Sequence, residues 1–408
     1  MDFRNFLCAL FFSTFFTCGE GHASVDSVNI NIDSGLRVSN STGEDTLLLG
    51  GYLLYDLIPI DDNATRHPRT DLFNAWLFLV GTVDRVFFYK IQYSLDDSSG
   101  SKLRDGYLGI KLGPEHKVRF GQFDVSTYAE HLSALTYTPL AGRAMVDSLT
   151  PGRDVGVQLL GDDSSSGRYH YALGVFNGNG IDSNGEDNGQ KDIALRVTGR
   201  LIGESDSSGF RFYPDLTVSS GKQNGDQINL RSESGTSFLM AGNLPVDERT
   251  RTAVGIYSSF GSWYMRANYL DTRYGFKTSN QSGEASGYSV LLSYYLTGET
   301  DLYRGGLFQK TKPRTAYNGG NWGGAWQVVF RFSFLEASNT LRDEVSKLTG
   351  SILMASSAEA MSVGVNWIPT GNSRINLSWI DTRYQPTPQS ALKNAESVLL
   401  LRMTLQFF

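Results

Sequence analysis

The sequence contains little cysteine, no long apolar run beyond its N-terminus and no excess of basic residues. Its two cysteines, Cys8 and Cys18, both lie near the start, so a chain cleaved after Ala23 would hold no thiol. Disulfides, thiolate metal sites and cysteine nucleophiles are thereby excluded for the mature chain. The formal net charge of −6 gives no electrostatic basis for binding nucleic acid. Because no later apolar run approaches the ~20 residues of a membrane helix, any membrane crossing must use strands.

The N-terminus has the order of a secretory signal peptide. Arg4 precedes an apolar stretch over 6–18, and the small-residue triplet Gly21-His22-Ala23 follows it. This order predicts export, with cleavage after Ala23. We therefore divide the chain into a signal peptide (1–23), an N-terminal segment (24–45) and the main domain (46–408).

The main domain is rich in aromatic residues and repeats a two-residue period. The chain ends "SVLLLRMTLQFF", where apolar Leu401, Met403 and Leu405 alternate with Arg402 and Thr404. Segments of about ten residues with this alternation are typical of outer-membrane strands, whose lipid-facing and water-facing residues alternate. The mean hydropathy of −0.24 is compatible with this interpretation, because only one strand face is apolar.

The alternation predicts an all-β fold, a transmembrane antiparallel β-barrel of about 16 strands with an inward-folded third external loop. The predicted strands lie near 46–57, 71–82, 84–95, 103–112, 116–124, 153–161, 168–176, 190–201, 209–220, 251–260, 263–274, 286–297, 324–335, 358–369, 373–384 and 396–408. An even number leaves both termini on the periplasmic side. It also requires the segment 298–324 to be a long periplasmic crossing.

Candidate functional residues lie on the predicted inner face and in the third loop, 124–152. This loop is partly apolar, so we expect it to fold into the barrel and narrow it, with a constriction formed by Asp124, Glu130, His131, Arg143 and Arg153. Basic residues expected to line the pore are Lys90, Lys111, Arg196, Arg266, Arg331, Arg374 and Arg402. Rows of Lys and Arg favour anions in a pore, although any charged strand residue must also avoid lipid.

No cofactor, metal site or catalytic motif is predicted. The Gly-rich acidic loop "GNGIDSNGEDNG" lacks the ligand spacing of a calcium loop, and neither G-x-S-x-G nor H-E-x-x-H occurs. Two alternatives to a channel remain open. One is a barrel with a closed lumen that acts as an adhesin or structural protein, and the other is an outer-membrane barrel enzyme.

Several stretches together resemble the phosphate-selective porin O and P family. They run in order along the chain: "TLLLGGYLLYD", "YKIQYSLDD", "LRDGYLGIKLGP", "VRFGQFD", "LTPGRDVGVQLLG", "YALGVFNGNG", "SYYLTGET", "KPR", "GGAWQVVFRFS", "MSVGVNWIP" and "LRMTLQFF". The resemblance implies a sixteen-stranded outer-membrane porin, usually a homotrimer, whose best-known members pass phosphate or polyphosphate along arginines and lysines.

The sequence departs from the family at positions linked to phosphate. Where the family often has paired arginines, this chain has Phe73 and Asn74, and Asp124 follows "GQF" in place of a lysine. Arg143 and Arg153 match family arginines. We therefore expect a porin of the bacterial outer membrane that passes small ions or hydrophilic solutes, with some anion preference and weakened phosphate selectivity. Its other expected partners are outer-membrane lipid and the assembly machinery, through Phe408.

Overall fold

The computed structural model describes residues 29–31, 35–61, 67–96, 102–163, 166–181, 189–203, 209–277, 279–320, 322–387 and 393–407. Within them, sixteen antiparallel strands form one closed barrel. In chain order, β1 to β16 are Thr46–Asp61, Arg69–Val83, Phe87–Ser94, Leu103–Lys111, His116–Asp124, Arg153–Asp162, Tyr169–Phe176, Asp192–Gly199, Arg211–Lys222, Val246–Phe260, Trp263–Phe276, Ser282–Tyr295, Ala325–Ala337, Ala355–Thr370, Ser373–Pro386 and Ala395–Phe407. The prediction of about sixteen barrel strands is confirmed.

Strand β16 closes the barrel by pairing with β1. The register places Phe407 opposite Gly51 and Arg402 opposite Asp56. Below that point a hairpin of Asn29–Asn31 and Leu36–Ser39 pairs with the start of β1, with Leu36 opposite Leu49. Backbone groups of β1 are thus paired along nearly its whole length, which a strand in lipid requires. Phe408, through which we expect the assembly machinery to act, lies outside the described residues.

The outer face of the barrel is apolar and the inner face is polar. On β16, Met403 and Leu405 are 48% and 54% exposed, whereas Arg402 is 5% exposed. The same alternation follows β13, where Trp326, Val328 and Phe330 are exposed and Gln327 and Arg331 are buried. No helix in the described ranges is long and apolar enough to cross a membrane.

Short and long connections lie at opposite ends of the barrel. The short connections lie at the end of the barrel where β1 begins and β16 ends. There a tight turn joins β2 to β3, and its residues Asp84 and Arg85 have φ of 53° and 58°. Two left-handed residues match the type I′ turn that suits the twist of a hairpin. One connection at this end is long: the described residues between Tyr295 and Ala325 form no barrel strand, as the predicted periplasmic crossing requires.

The long connections at the other end carry the remaining secondary structure. Residues 125–152 include the helix α1 (Ala129–Leu132) and two 3-10 turns, Leu135–Tyr137 and Met145–Leu149. Strands Asp226–Arg231 and Ser237–Leu244 form a small sheet with Ile352–Leu353. The helix α2, Asn339–Ser346, begins after Ser338, whose side chain accepts from the Leu341 N–H at 3.4 Å.

These connections share a hydrophobic core with one side of the barrel. Met145, Val146, Phe238 and Leu341 are buried in it against residues of β10 to β15. The core accounts for the apolar character of residues 124–152. It covers one part of the barrel's inner face and leaves the inner face of β1 to β8 less covered.

Candidate functional site

The inner face of the barrel borders a large open cavity. Its volume is about 2120 Å³, and its lining comes mainly from β1 to β10, residues 125–152 and the periplasmic crossing. Among the residues that the structure describes, the lining contains thirteen Lys or Arg residues and six carboxylates, all Asp. Since the whole chain has a formal charge of −6, positive charge is concentrated on the cavity wall.

Four of the five residues predicted for the constriction lie together at one side of this cavity. Arg153 donates from Nε to Asp105 Oδ1 at 2.8 Å, and its Nη2 lies 2.9 Å from Asp124 Oδ2. Lys90 donates to the other oxygen of Asp105 at 2.6 Å. The positive charges of Lys90 and Arg153 are therefore largely balanced by two aspartates.

His131 and Arg143 extend this ionic chain into residues 125–152. His131 Nδ1 lies 2.8 Å from Asp147 Oδ1, and His131 Nε2 lies 3.6 Å from Asp124 Oδ1. Burial alone lowers the pKa of His131, but the Asp147 and Asp124 carboxylates outweigh it and raise the pKa to about 9. Arg143 Nη1 lies 3.8 Å from Asp147 Oδ2. The imidazole is therefore a cation at neutral pH.

The fifth predicted residue, Glu130, does not border the cavity. It is 1% exposed, and its Oε1 lies 3.4 Å from Nη1 of Arg331. Arg331 is held mainly by Glu233 from the connection between β9 and β10, at 2.8 and 2.6 Å. Ser333 and Ser362 also donate to the Glu233 carboxylate. This cluster fastens two connections to the barrel wall.

The seven predicted pore-lining cations divide into two groups. Lys90, Lys111 and Arg196 border the large cavity. Arg266, Arg331, Arg374 and Arg402 are on the inner face but are covered by other segments and do not border it. Arg374 and Arg402 donate to the backbone carbonyls of Thr138 and Ala141, and Arg402 also forms a two-point ion pair with Asp56 at 2.6 Å.

The periplasmic crossing contributes a docked hairpin of Tyr303–Arg304 and Leu307–Phe308. Arg196, which pairs with Asp215 at 2.9 and 2.7 Å, also donates to the Gly306 carbonyl at 2.6 Å. The Phe308 N–H donates to Ser133 Oγ at 3.0 Å, so the hairpin touches residues 125–152. Arg266 lies over the Phe308 ring, 3.4 Å from its centroid.

Several cavity cations were missed by the sequence interpretation. Lys117 and Arg119 alternate with apolar Val118 and Phe120, a pattern that could have identified them. Arg104 could not be found this way, because a register shift between β3 and β4 displaces the alternation at that point. Arg231, Arg249, Arg251, Lys277 and Arg304 also border the cavity.

A closed antiparallel barrel with an apolar outer face and a charged, open lumen defines a channel of the outer membrane. The family model "Phosphate-selective porin O and P" matches residues 56–407, and the chain belongs to this family. It is a channel-forming porin, and its location is the bacterial outer membrane.

Individual relatives are distant. The chain is 23% identical to porin O of Pseudomonas aeruginosa over 410 residues, which cover 89% of each chain. Among solved structures, the fold is similar to a trimer form of OmpT from Vibrio cholerae, with a TM-score of 0.54, 13% identity and coverage of 89% of this chain and 99% of that one. An anion-selective porin from Comamonas acidovorans gives a TM-score of 0.52 at 12% identity, covering 89% and 100%. These structures support the barrel fold alone.

Proposed function

We propose that this porin passes small hydrophilic solutes with a preference for anions, and that phosphate is not its favoured solute. The observation that carries the proposal is the described part of the cavity wall, where thirteen basic residues face six carboxylates in a chain that is acidic as a whole. A lumen lined by cations raises the local concentration of anions and lowers that of cations.

The weakened phosphate selectivity follows from how the cations near the constriction are paired. Arg153 is shared by Asp105 and Asp124, and Lys90 is held by Asp105. A multiply charged phosphate needs several cations whose donors are available together. The donors of Lys90 and Arg153 already serve carboxylates, and Phe73 and Asn74 add no charge to the same cavity.

We propose that residues 125–152 form the constriction. This proposal is supported by contacts between these residues and the inner face of distant strands. The Pro139 carbonyl accepts hydrogen bonds from Asn366 at 2.7 Å and from Asn376 at 3.1 Å. The Ala129 N–H approaches Asp215 and Tyr257, both at 3.2 Å. A segment held at both sides of the barrel narrows the passage between them.

The contacts of His131 favour a channel over an enzyme. A catalytic triad needs the hydroxyl and the carboxylate on opposite ring nitrogens. Asp147 and Thr150 both contact Nδ1 of His131, at 2.8 and 3.1 Å. We further propose a homotrimer, by analogy with the trimer form of OmpT, and recognition of the C-terminal strand by the assembly machinery.

The test is the reversal potential of the reconstituted protein in a KCl gradient across a planar bilayer. We expect stepwise conductance and a reversal potential with the same sign as the chloride equilibrium potential. Millimolar phosphate should leave the chloride current nearly unchanged. A folded protein that never conducts would contradict the channel, and a cation-selective current would contradict the anion preference.

A further inference from the structure

We propose that the lumen wall formed by β2 to β5 contains a subsite for organic carboxylates that carry an aromatic or cyclic body. The inference rests on the proposed anion-preferring channel and names the class of solute that its wall suits. Two features carry it: aromatic rings that border the cavity, and a guanidinium stacked on them without a carboxylate partner.

The aromatic feature consists of Phe78, Phe88 and Tyr107, which border the cavity from β2, β3 and β4. The Phe88 and Tyr107 rings lie edge to face with centroids 6.2 Å apart. Phe88 covers Gly109, so a side chain at position 109 would require the Phe88 ring to move. These rings border the cavity, so they do not face lipid. Aromatic rings are unusual there, because the interior of a porin barrel is mainly polar.

The cationic feature is Arg119. Its guanidinium lies 3.9 Å from the centroid of Phe123 and 5.3 Å from that of Tyr107. Its Nε and Nη2 donate to Gln158 Oε1 at 3.1 and 2.6 Å, which fixes its orientation. Among the residues that the structure describes, it makes no salt bridge within 4.0 Å, so its charge is positioned but not neutralised.

A second guanidinium in the same cavity repeats this arrangement. Arg104 lies 5.2 Å from the centroid of Trp76, its Nε has no hydrogen-bond partner, and no salt bridge joins it to a described carboxylate. Phe73 and Tyr52 also border the cavity, and the Tyr52 ring centroid lies 5.3 Å from that of Trp76. The wall thus carries two clusters, each formed by a guanidinium and an aromatic ring. An organic anion could occupy them one after the other along its path.

This combination selects for the body of the anion as well as its charge. A carboxylate needs one guanidinium that is not already paired, and a ring gains from contact with apolar aromatic surface. An inorganic anion or a short aliphatic carboxylate has the charge but no surface to place against Phe78, Phe88 and Tyr107. The wall therefore favours a ring-bearing carboxylate over both.

The experiment compares benzoate with acetate as inhibitors of chloride current through the protein in planar bilayers. Both carry one carboxylate, and only benzoate has a ring. We expect benzoate to reach half-inhibition at a concentration about tenfold lower than acetate, since ring contact with apolar surface contributes to its binding alone. Phe88→Ala should bring the benzoate concentration close to that of acetate, and Arg119→Gln should raise the half-inhibition concentration of benzoate.

Lys111→Gln is the matched control, since it removes a cavity cation of the same wall outside the stacked cluster. It should leave the ratio of the two concentrations unchanged. Phe88→Leu, which keeps an apolar side chain, serves if the alanine variant fails to fold, and it should reduce the ratio in part. Equal inhibition by benzoate and acetate, a ratio unaffected by a Phe88 variant that folds, or benzoate inhibition unaffected by Arg119→Gln would overturn the subsite. Absence of any chloride current would instead overturn the channel itself.

Discussion

At the scale of single residues, most of the inner-face charges occur in pairs. Arg402 and Asp56 are 5% and 2% exposed, and they join β16 to β1 at the seam where the barrel closes. Two parallel N–H to oxygen contacts of 2.6 Å give this pair the fork geometry that suits Arg and a carboxylate. Either partner alone would be a buried charge without compensation.

Replacing Arg402 by Met should therefore destabilise the barrel by about 3–5 kcal/mol, because Asp56 would remain buried and unpaired. The double variant Asp56→Asn/Arg402→Met should recover part of that loss. Urea unfolding in lipid vesicles, followed by tryptophan fluorescence, measures both. Equal stability of the single and double variants would contradict the role assigned to the pair.

His131 would give the proposed constriction a dependence on pH. Its pKa is about 9 in the folded protein, against an ordinary value of 6.5, because Asp147 and Asp124 favour the charged ring more than burial opposes it. A group whose pKa is raised by folding contributes stability that is complete below pH 6.5 and is lost as pH rises through about 9. The positive charge at the constriction falls over the same pH range.

We therefore expect anion selectivity to decrease between pH 7 and about pH 9.5 as His131 loses its proton. Reversal potentials in a KCl gradient at successive pH values measure this change. His131→Gln, which cannot titrate, should show no such step in that range. A step of equal size in wild type and variant would assign it to another group.

At the scale of elements, the two-residue alternation was sufficient to predict the barrel strands. A lipid-facing side chain must be apolar, so period-two patterns in segments such as β13 and β16 carry a strong signal. The same parity required a long crossing over 298–324, and the residues that the structure describes there form no barrel strand.

Alternation could not predict which inner-face residues reach water. Arg331 meets Glu233, 98 residues away, and Arg402 meets the Ala141 carbonyl, 261 residues away. Such contacts depend on how long connections pack inside a closed barrel, which local pattern does not encode. Arg104 was missed for a different reason, because an irregular pairing moved it out of phase.

The docked hairpin at 303–308 supplies a prediction for one element. It is held to the wall by Arg196 and by the contact of Tyr303 Oη with Thr198 Oγ1 at 2.9 Å, and Arg304 and Leu307 border the cavity. Replacing 302–309 by a short Gly-Ser linker should widen the passage and increase single-channel conductance. A linker replacement at the exposed 318–320 turn is the control and should leave conductance unchanged. Unchanged conductance in both would show that the hairpin does not limit flow.

At the scale of the whole molecule, basic residues are concentrated in the lumen of a chain that is acidic overall. Aspartates in the lumen then neutralise part of this positive charge. Asp124 is the residue through which this neutralisation is most easily altered, because it contacts Arg153 at 2.9 Å and lies 3.6 Å from His131. Replacing it by Asn keeps the side-chain shape and removes one negative charge. The freed guanidinium and imidazolium would then act on passing anions.

We expect Asp124→Asn to shift the reversal potential further toward that of chloride and to make the chloride current sensitive to phosphate at lower concentrations than in wild type. Arg153→Glu should have the opposite effect, because it would place a third carboxylate beside Asp105 and Asp124 and favour cations. Asp247→Asn, a change at an exposed aspartate that pairs with Lys222 away from the cavity lining, is the matched control for charge alone. If Asp124→Asn and Asp247→Asn gave the same selectivity as wild type, the pairing of cations in the constriction would not be what limits anion capture in this porin.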